Sequence, residues 1–235
     1  MPRRPSSLGV DFEEYQRRHA QDYEALKALD TPEGWDFRMD HDGVSIHTKD
    51  VEDMPCKCFK GYVRVRTFGH GPRGIIEALK AHGNRTKWDD LCLSARLVEE
   101  YLPFYSVGHF HFSSGTRLLS TRDMLIIGHT FYEEDGSILM TCQSTQMESI
   151  PEEADSVRCT LHFGGYIVRP TEDADVFLIM YAGCVDGGGW VPTWVQDLVA
   201  WRQPLGLGKF RAYFEEAAQK GGRRWDEVRG VQPSQ

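Results

Sequence analysis

Three histidines and one arginine carry the widest chemical scope in this chain. His109 and His111 stand two apart in the strand-like run 104–112, so they share a face with Val107, while Phe110 and Phe112 share the other. His162 lies in a later run, on the same face as Thr160. Imidazoles placed this way can bond a polar group of a ligand, exchange protons, or satisfy neighbouring polar side chains. No acid or cysteine is grouped with them in the sequence, so neither a metal nor a cofactor is expected. Arg85 suits a two-pronged contact with a phosphate. It equally suits a salt bridge with Asp89, Asp90 or the N-terminal helix, and the sequence does not separate these readings. His109, His111 and Tyr166 are the acid–base candidates, but no set of nucleophile, base and orienting group accompanies them.

The elements that must position these residues are legible as patterns. Phe12, Tyr15, His19, Tyr23 and Leu26 recur at helical spacing and predict a helix over 12–29, capped by Asp11 and stopped by Thr31-Pro32-Glu33-Gly34. Short strands are predicted over 35–39, 44–49 and 58–67, with Asp42-Gly43 as a hairpin turn. Pro72 opens a helix through Lys80, and a short polar segment follows around Trp88. Six strands follow, over 95–101, 104–112, 123–132, 137–146, 156–168 and 175–185. Their short connections imply an antiparallel meander, and no βαβ alternation suggests a nucleotide-binding sheet. After Asp186-Gly187-Gly188-Gly189, Pro192 opens a long helix over about 193–218, with a break near Pro204 to Gly208. This order predicts one α+β domain in which a curved sheet grips a long helix. Residues 1–34 are its lead-in, 35–220 its body and 221–235 a flexible tail.

Composition narrows the function classes. The chain has 235 residues, enough for one domain with a sizeable core or cavity. Its net charge of −8 argues against nucleic-acid binding and confines any membrane contact to a local patch. The longest apolar run, around Met124-Leu125-Ile126-Ile127, is too short to span a bilayer. No apolar stretch follows Arg3 and Arg4, so no secretory signal is expected. Six cysteines without a CxxC pair point to a reducing compartment, most simply the cytoplasm.

Four segments, in order, resemble the START family of steroidogenic acute regulatory protein-related lipid transfer domains. They are Arg85-Thr86-Lys87-Trp88-Asp89, Arg122-Asp123, the pair Ser156-Val157-Arg158 with Gly165-Tyr166-Ile167-Val168-Arg169-Pro170, and Asp186-Gly187-Gly188-Gly189-Trp190-Val191-Pro192-Thr193-Trp194. The resemblance implies a helix-grip fold around a tunnel holding one lipid molecule, with a monomer touching a membrane surface transiently. It implies no catalytic residue. It assigns the face of Val107, His109 and His111 to the tunnel, with Arg85, Met124, Ile126, Gly128, Thr141, Thr160 and His162 beside it. Trp194, Leu198 and Trp201 would line it from the C-terminal helix, and Leu118 and Leu119 would sit in a lid loop over 113–120. In this register His109 and Gly128 stand where sterol-type members carry a facing acid and arginine. His111, Met124 and His162 stand where choline-type members build an aromatic cage. Both sets are missing, and the retained Arg85 tilts the expectation toward phospholipid over sterol. Two other classes stay open: a cyclase- or hydrolase-type enzyme of the same superfamily, and a lipid-sensing interaction module.

Overall fold

The computed structural model describes residues 12–52, 54, 56–101, 105–114, 120–189, 200 and 202–220. The amphipathic N-terminal segment forms α1 (Phe12–Leu29). Three strands follow, β1 (Asp36–His41), β2 (Val44–Lys49) and β3 (Cys58–Arg66), then α2 (Gly71–Lys80) and a 3-10 turn over His82–Lys87. The next strands are β4 (Cys92–Tyr101), β5 (Tyr105–Phe112), β6 (Thr121–Tyr132), β7 (Ile138–Ser144), β8 (Ser156–Arg158), β9 (Thr160–Pro170) and β10 (Val176–Asp186). A 3-10 turn over Gln203–Leu205 leads into α3 (Gly206–Gln219), where Pro204 interrupts the predicted long helix.

The strands form one sheet in the order β1-β2-β3-β10-β9-β7-β6-β5-β4, with neighbours antiparallel. Pairing of β10 with β3 brings the first and last thirds of the chain together. The single strand predicted over 156–168 is in fact two. β8 runs parallel to β6, and the chain turns at Cys159 before β9 joins β7 and β10. Local alternation could not show this, because the break is held by contacts to Asp123, whose backbone oxygen accepts from Cys159 N at 2.9 Å.

Side chains alternate across the sheet and build different cores on its two faces. On the inner face, Val44, Ile46, Val63, Val65, Ile138, Met140, Val168, Phe177 and Ile179 pack against Ile75 and Leu79 of α2 and Leu207, Phe210 and Phe214 of α3. On the outer face, Leu139, Ile167, Met180 and Ala182 meet Leu26 and Leu29 of α1. A separate outer cluster joins Tyr105, Val107, Leu125 and Ile127 to Met147 and Ile150. Buried Lys60 points outward from β3 and donates to the carbonyls of Leu29 (3.3 Å) and Thr31 (2.6 Å), anchoring the end of α1.

Two glycines permit close backbone approaches. A Cβ on Gly61 of β3 would lie 2.5 Å from Pro204 Cβ, so its absence lets the lead-in to α3 rest directly on the sheet. Gly165 has φ +145°, and a Cβ there would lie 2.0 Å from the Met140 carbonyl oxygen. Gly165→Ala should therefore lower unfolding free energy by about 2 kcal/mol or more. Denaturant melts check this, and an unchanged midpoint would show that β9 relaxes freely there.

A pH effect follows from α1. Burial holds the imidazole of His19 down to about 3, with His129 and Arg18 adding to the effect. The ring stands 5.0 Å from that of His129. Unfolding restores an ordinary histidine near 6.5. The unfolded chain thus takes the proton first, and this contribution to stability is lost as pH falls from 6.5 toward 3. Asp22, raised to about 6 by burial, acts in the opposite sense between about 6 and 3.8. The difference between wild type and His19→Gln isolates the histidine. Thermal melts from pH 7.5 to 4.5 should show a shallower loss of Tm in the variant, and parallel curves would contradict the assignment.

Candidate functional site

Among the described residues, the inner helices leave part of the sheet uncovered. Between α2, the 3-10 turn at 82–87 and strands β5, β6, β7, β9 and β10 lies a cavity of about 770 Å³, its open mouth included. Leu79, Phe110, Phe112, Met124, Ile126, Met140, Leu161 and Val185 make most of its wall. Lys80, His82, Arg85, Ser106, Tyr166, Tyr181 and Gln203 add polar atoms, and Gly128 and Cys142 complete the lining.

Arg85 is the organised polar feature. Its Nε donates to Asp89 Oδ2 at 2.8 Å and its Nη1 to the Tyr166 hydroxyl at 3.2 Å. Its guanidinium stands 4.2 Å over the Trp88 ring. Tyr166 stacks on Tyr181, centroids 4.5 Å apart. Burial opposes the Arg85 charge, but the Tyr166 hydroxyl oxygen and the Asp89 carboxylate that accept from it hold its pKa well above the ordinary value. Burial raises both tyrosines, so they remain hydroxyl donors at neutral pH. Arg85 Nη2 makes no hydrogen bond among the described residues.

Of the residues singled out in the sequence, Arg85, Met124, Ile126 and Gly128 line the cavity. The histidine face does not. Ser106, Phe110 and Phe112 point inward from β5, so Val107, His109 and His111 point outward. Val107 joins the outer cluster under Met147 and Ile150. His109 is buried, with Nε2 2.9 Å from Asp123 Oδ2, and the same oxygen accepts from Arg158 Nε at 2.7 Å. His111 contacts Ser94 Oγ (3.1 Å) and Glu153 (3.1 Å). The register on β5 is thus shifted by one residue from the expected one, which reverses the face of every side chain. Thr141 is displaced by the same alternation: Met140 and Cys142 face the cavity, and Thr141 faces the α1 side. Thr160 is exposed, and His162, beside inward-facing Leu161, is half-buried away from the cavity. Leu118, Leu119, Trp194, Leu198 and Trp201 lie outside the described residues.

Sequence reasoning missed Phe110, Phe112, Tyr181 and the Arg85–Tyr166 contact. The first two were readable as an aromatic pair on one strand face, but which face looks inward is a tertiary matter. Arg85 and Tyr166 are 81 positions apart, and nothing local couples them.

A START domain profile matches residues 20–220. The chain belongs to the START domain family. Solved relatives share the fold. Human StAR-related lipid transfer protein 5 superposes with a TM-score of 0.75 at 19% identity, over 89% of this chain and 98% of its own. A STAR-related lipid transfer protein fragment from Xanthomonas axonopodis gives 0.67 at 20% identity, over 77% and 99%. Comparison with curated proteins finds no significant match. Among the described residues no helix is long and apolar enough to cross a membrane.

The outward-facing network makes a stability prediction. Asp123 is fully buried between His109 and Arg158. Asp123→Ala leaves both partners without their acceptor and should cost about 3–5 kcal/mol. Calorimetry of the variant tests this, and a loss below about 1 kcal/mol would mean that the network carries little of the fold.

Proposed function

We propose that this START domain binds one lipid molecule in the cavity and carries it between membranes as a monomer, with phospholipid favoured over sterol. The observation behind the headgroup preference is Arg85: a charged guanidinium, fixed by Asp89 and Tyr166, in a cavity walled largely by apolar side chains. Lys80 adds a second cationic side chain to the lining. Such a pole suits a phosphate oxygen, which accepts charge-assisted hydrogen bonds from guanidinium and phenol donors. The apolar wall suits acyl chains. The solved relatives named above are StAR-related lipid transfer proteins, in keeping with this reading.

Physics then sets the mode of delivery. Each methylene returned to water costs about 0.8 kcal/mol, so a bound diacyl lipid leaves slowly into solution. Exchange requires docking on a bilayer, where the expected lid residues Leu118 and Leu119 would meet the acyl region.

Native mass spectrometry of the purified chain, followed by solvent extraction, tests the proposal. One phospholipid per chain is expected. Arg85→Lys should weaken phospholipid capture from vesicles by about tenfold or more, since one hydrogen bond to a charged group contributes about 1.5–3 kcal/mol. Met124→Trp should fill the cavity and abolish capture of any lipid while the melt stays cooperative. A co-purifying sterol would reject the headgroup assignment. An empty chain that takes no lipid from vesicles would reject the carrier reading, and a chemically altered lipid would favour an enzyme.

A further inference from the structure

The outer face of β5 holds a second constellation. His109 and His111 stand side by side with ring centroids 4.4 Å apart. The segment before β8 brings Glu153 to them, both of its carboxylate oxygens 3.1 Å from His111 Nε2. One ring nitrogen of each histidine and one Glu153 oxygen all lie within 4.8 Å of one another. Nitrogens bound tetrahedrally at about 2.0–2.1 Å from a metal stand about 3.4 Å apart, so small rotations of two partly exposed side chains close the set. Side-chain exposure is 25% for His111 and 49% for Glu153.

The remaining nitrogens are braced. Ser94 Oγ holds His111 Nδ1 at 3.1 Å. Asp123 is paired with Arg158 and can only accept, so His109 Nε2 donates to it and the His109 lone pair resides on Nδ1. That lone pair meets the exposed Arg96 Nη2 at 3.4 Å, a long contact from a side chain free to swing outward. Histidines that bind metals are held in this way, one nitrogen on the ion and the other fixed by a carboxylate or hydroxyl. An ordinary surface histidine–glutamate pair needs none of this bracing.

We propose that His109, His111 and Glu153 bind one divalent transition-metal ion of the zinc class, with its fourth position open to water. Two imidazoles among three ligands disfavour magnesium and calcium, which select oxygen. The nearby charges of Arg96 and Arg158 temper the affinity, and the ion would tie β5 to the segment ahead of β8.

The test is zinc chloride added to the full chain after treatment with a chelator, with bound metal counted by equilibrium dialysis. One zinc per chain is expected, unaffected by excess magnesium. His111→Ala and Glu153→Gln should each weaken it at least tenfold. Among the described residues the thiols of Cys56, Cys58 and Cys184 form a rival zinc-binding cluster, with Cys184 paired to both of the others, so Cys184→Ser should retain the ion. Cobalt(II) added to wild type gives a readout independent of variants: a tetrahedral visible spectrum without a thiolate charge-transfer band. Absence of stoichiometric zinc, full binding in both His111→Ala and Glu153→Gln, or loss only in Cys184→Ser would each overturn the proposal.

Discussion

How far the C-terminal helix can descend on to the sheet governs everything inside this fold. Gly61 presents bare backbone to Pro204, so the turn before α3 rests on β3 with no side chain between them. From that contact α3 sets Leu207, Phe210 and Phe214 among the inner side chains of β2, β3 and β10 and fills that half of the grip. Among the described residues, α2 and a 3-10 turn cover the half under β5, β6 and β7, and there the cavity lies.

The opposite face of the sheet has to be buried as well, since a curved sheet of this size has two surfaces. Here α1 covers β7, β9 and β10, while Met147 and Ile150 cover β5 and β6. The polar residues on this face are handled by pairing. Asp123 is completely buried, yet it holds His109, Arg158 and the Cys159 amide, fastening β8 to β6 and β6 to β5. Burying a charge alone would be prohibitive, so the cost is met by His109 and Arg158 converging on one carboxylate oxygen, while the Cys159 amide bonds the backbone oxygen.

The same rule shapes the cavity. Arg85 stays charged against burial because Asp89, Tyr166 and the Trp88 ring surround it, and those partners also fix its direction. A guanidinium with defined orientation in an apolar chamber discriminates between ligands by their polar end, while the surrounding Phe, Met and Ile side chains accept many apolar shapes.

Much of this architecture was readable from residue order. The helix over 12–29 coincides with α1, the strand over 44–49 with β2, and the break at Pro204 with the turn before α3, because each rests on local periodicity or on proline geometry. The START segments located Arg85 and the strands around it. What only the tertiary structure decided is which way each strand faces. Alternation shows that His109 and His111 share a side, and leaves open which side is inner. A shift of one residue on β5 sent both histidines outward and Phe110 and Phe112 inward. The long-range partnerships were equally hidden: Arg85 with Tyr166, His109 with Asp123, His111 with Glu153. Each joins residues that no local pattern links, because side-chain chemistry is written in the sequence but proximity is set by how the sheet pairs and bends.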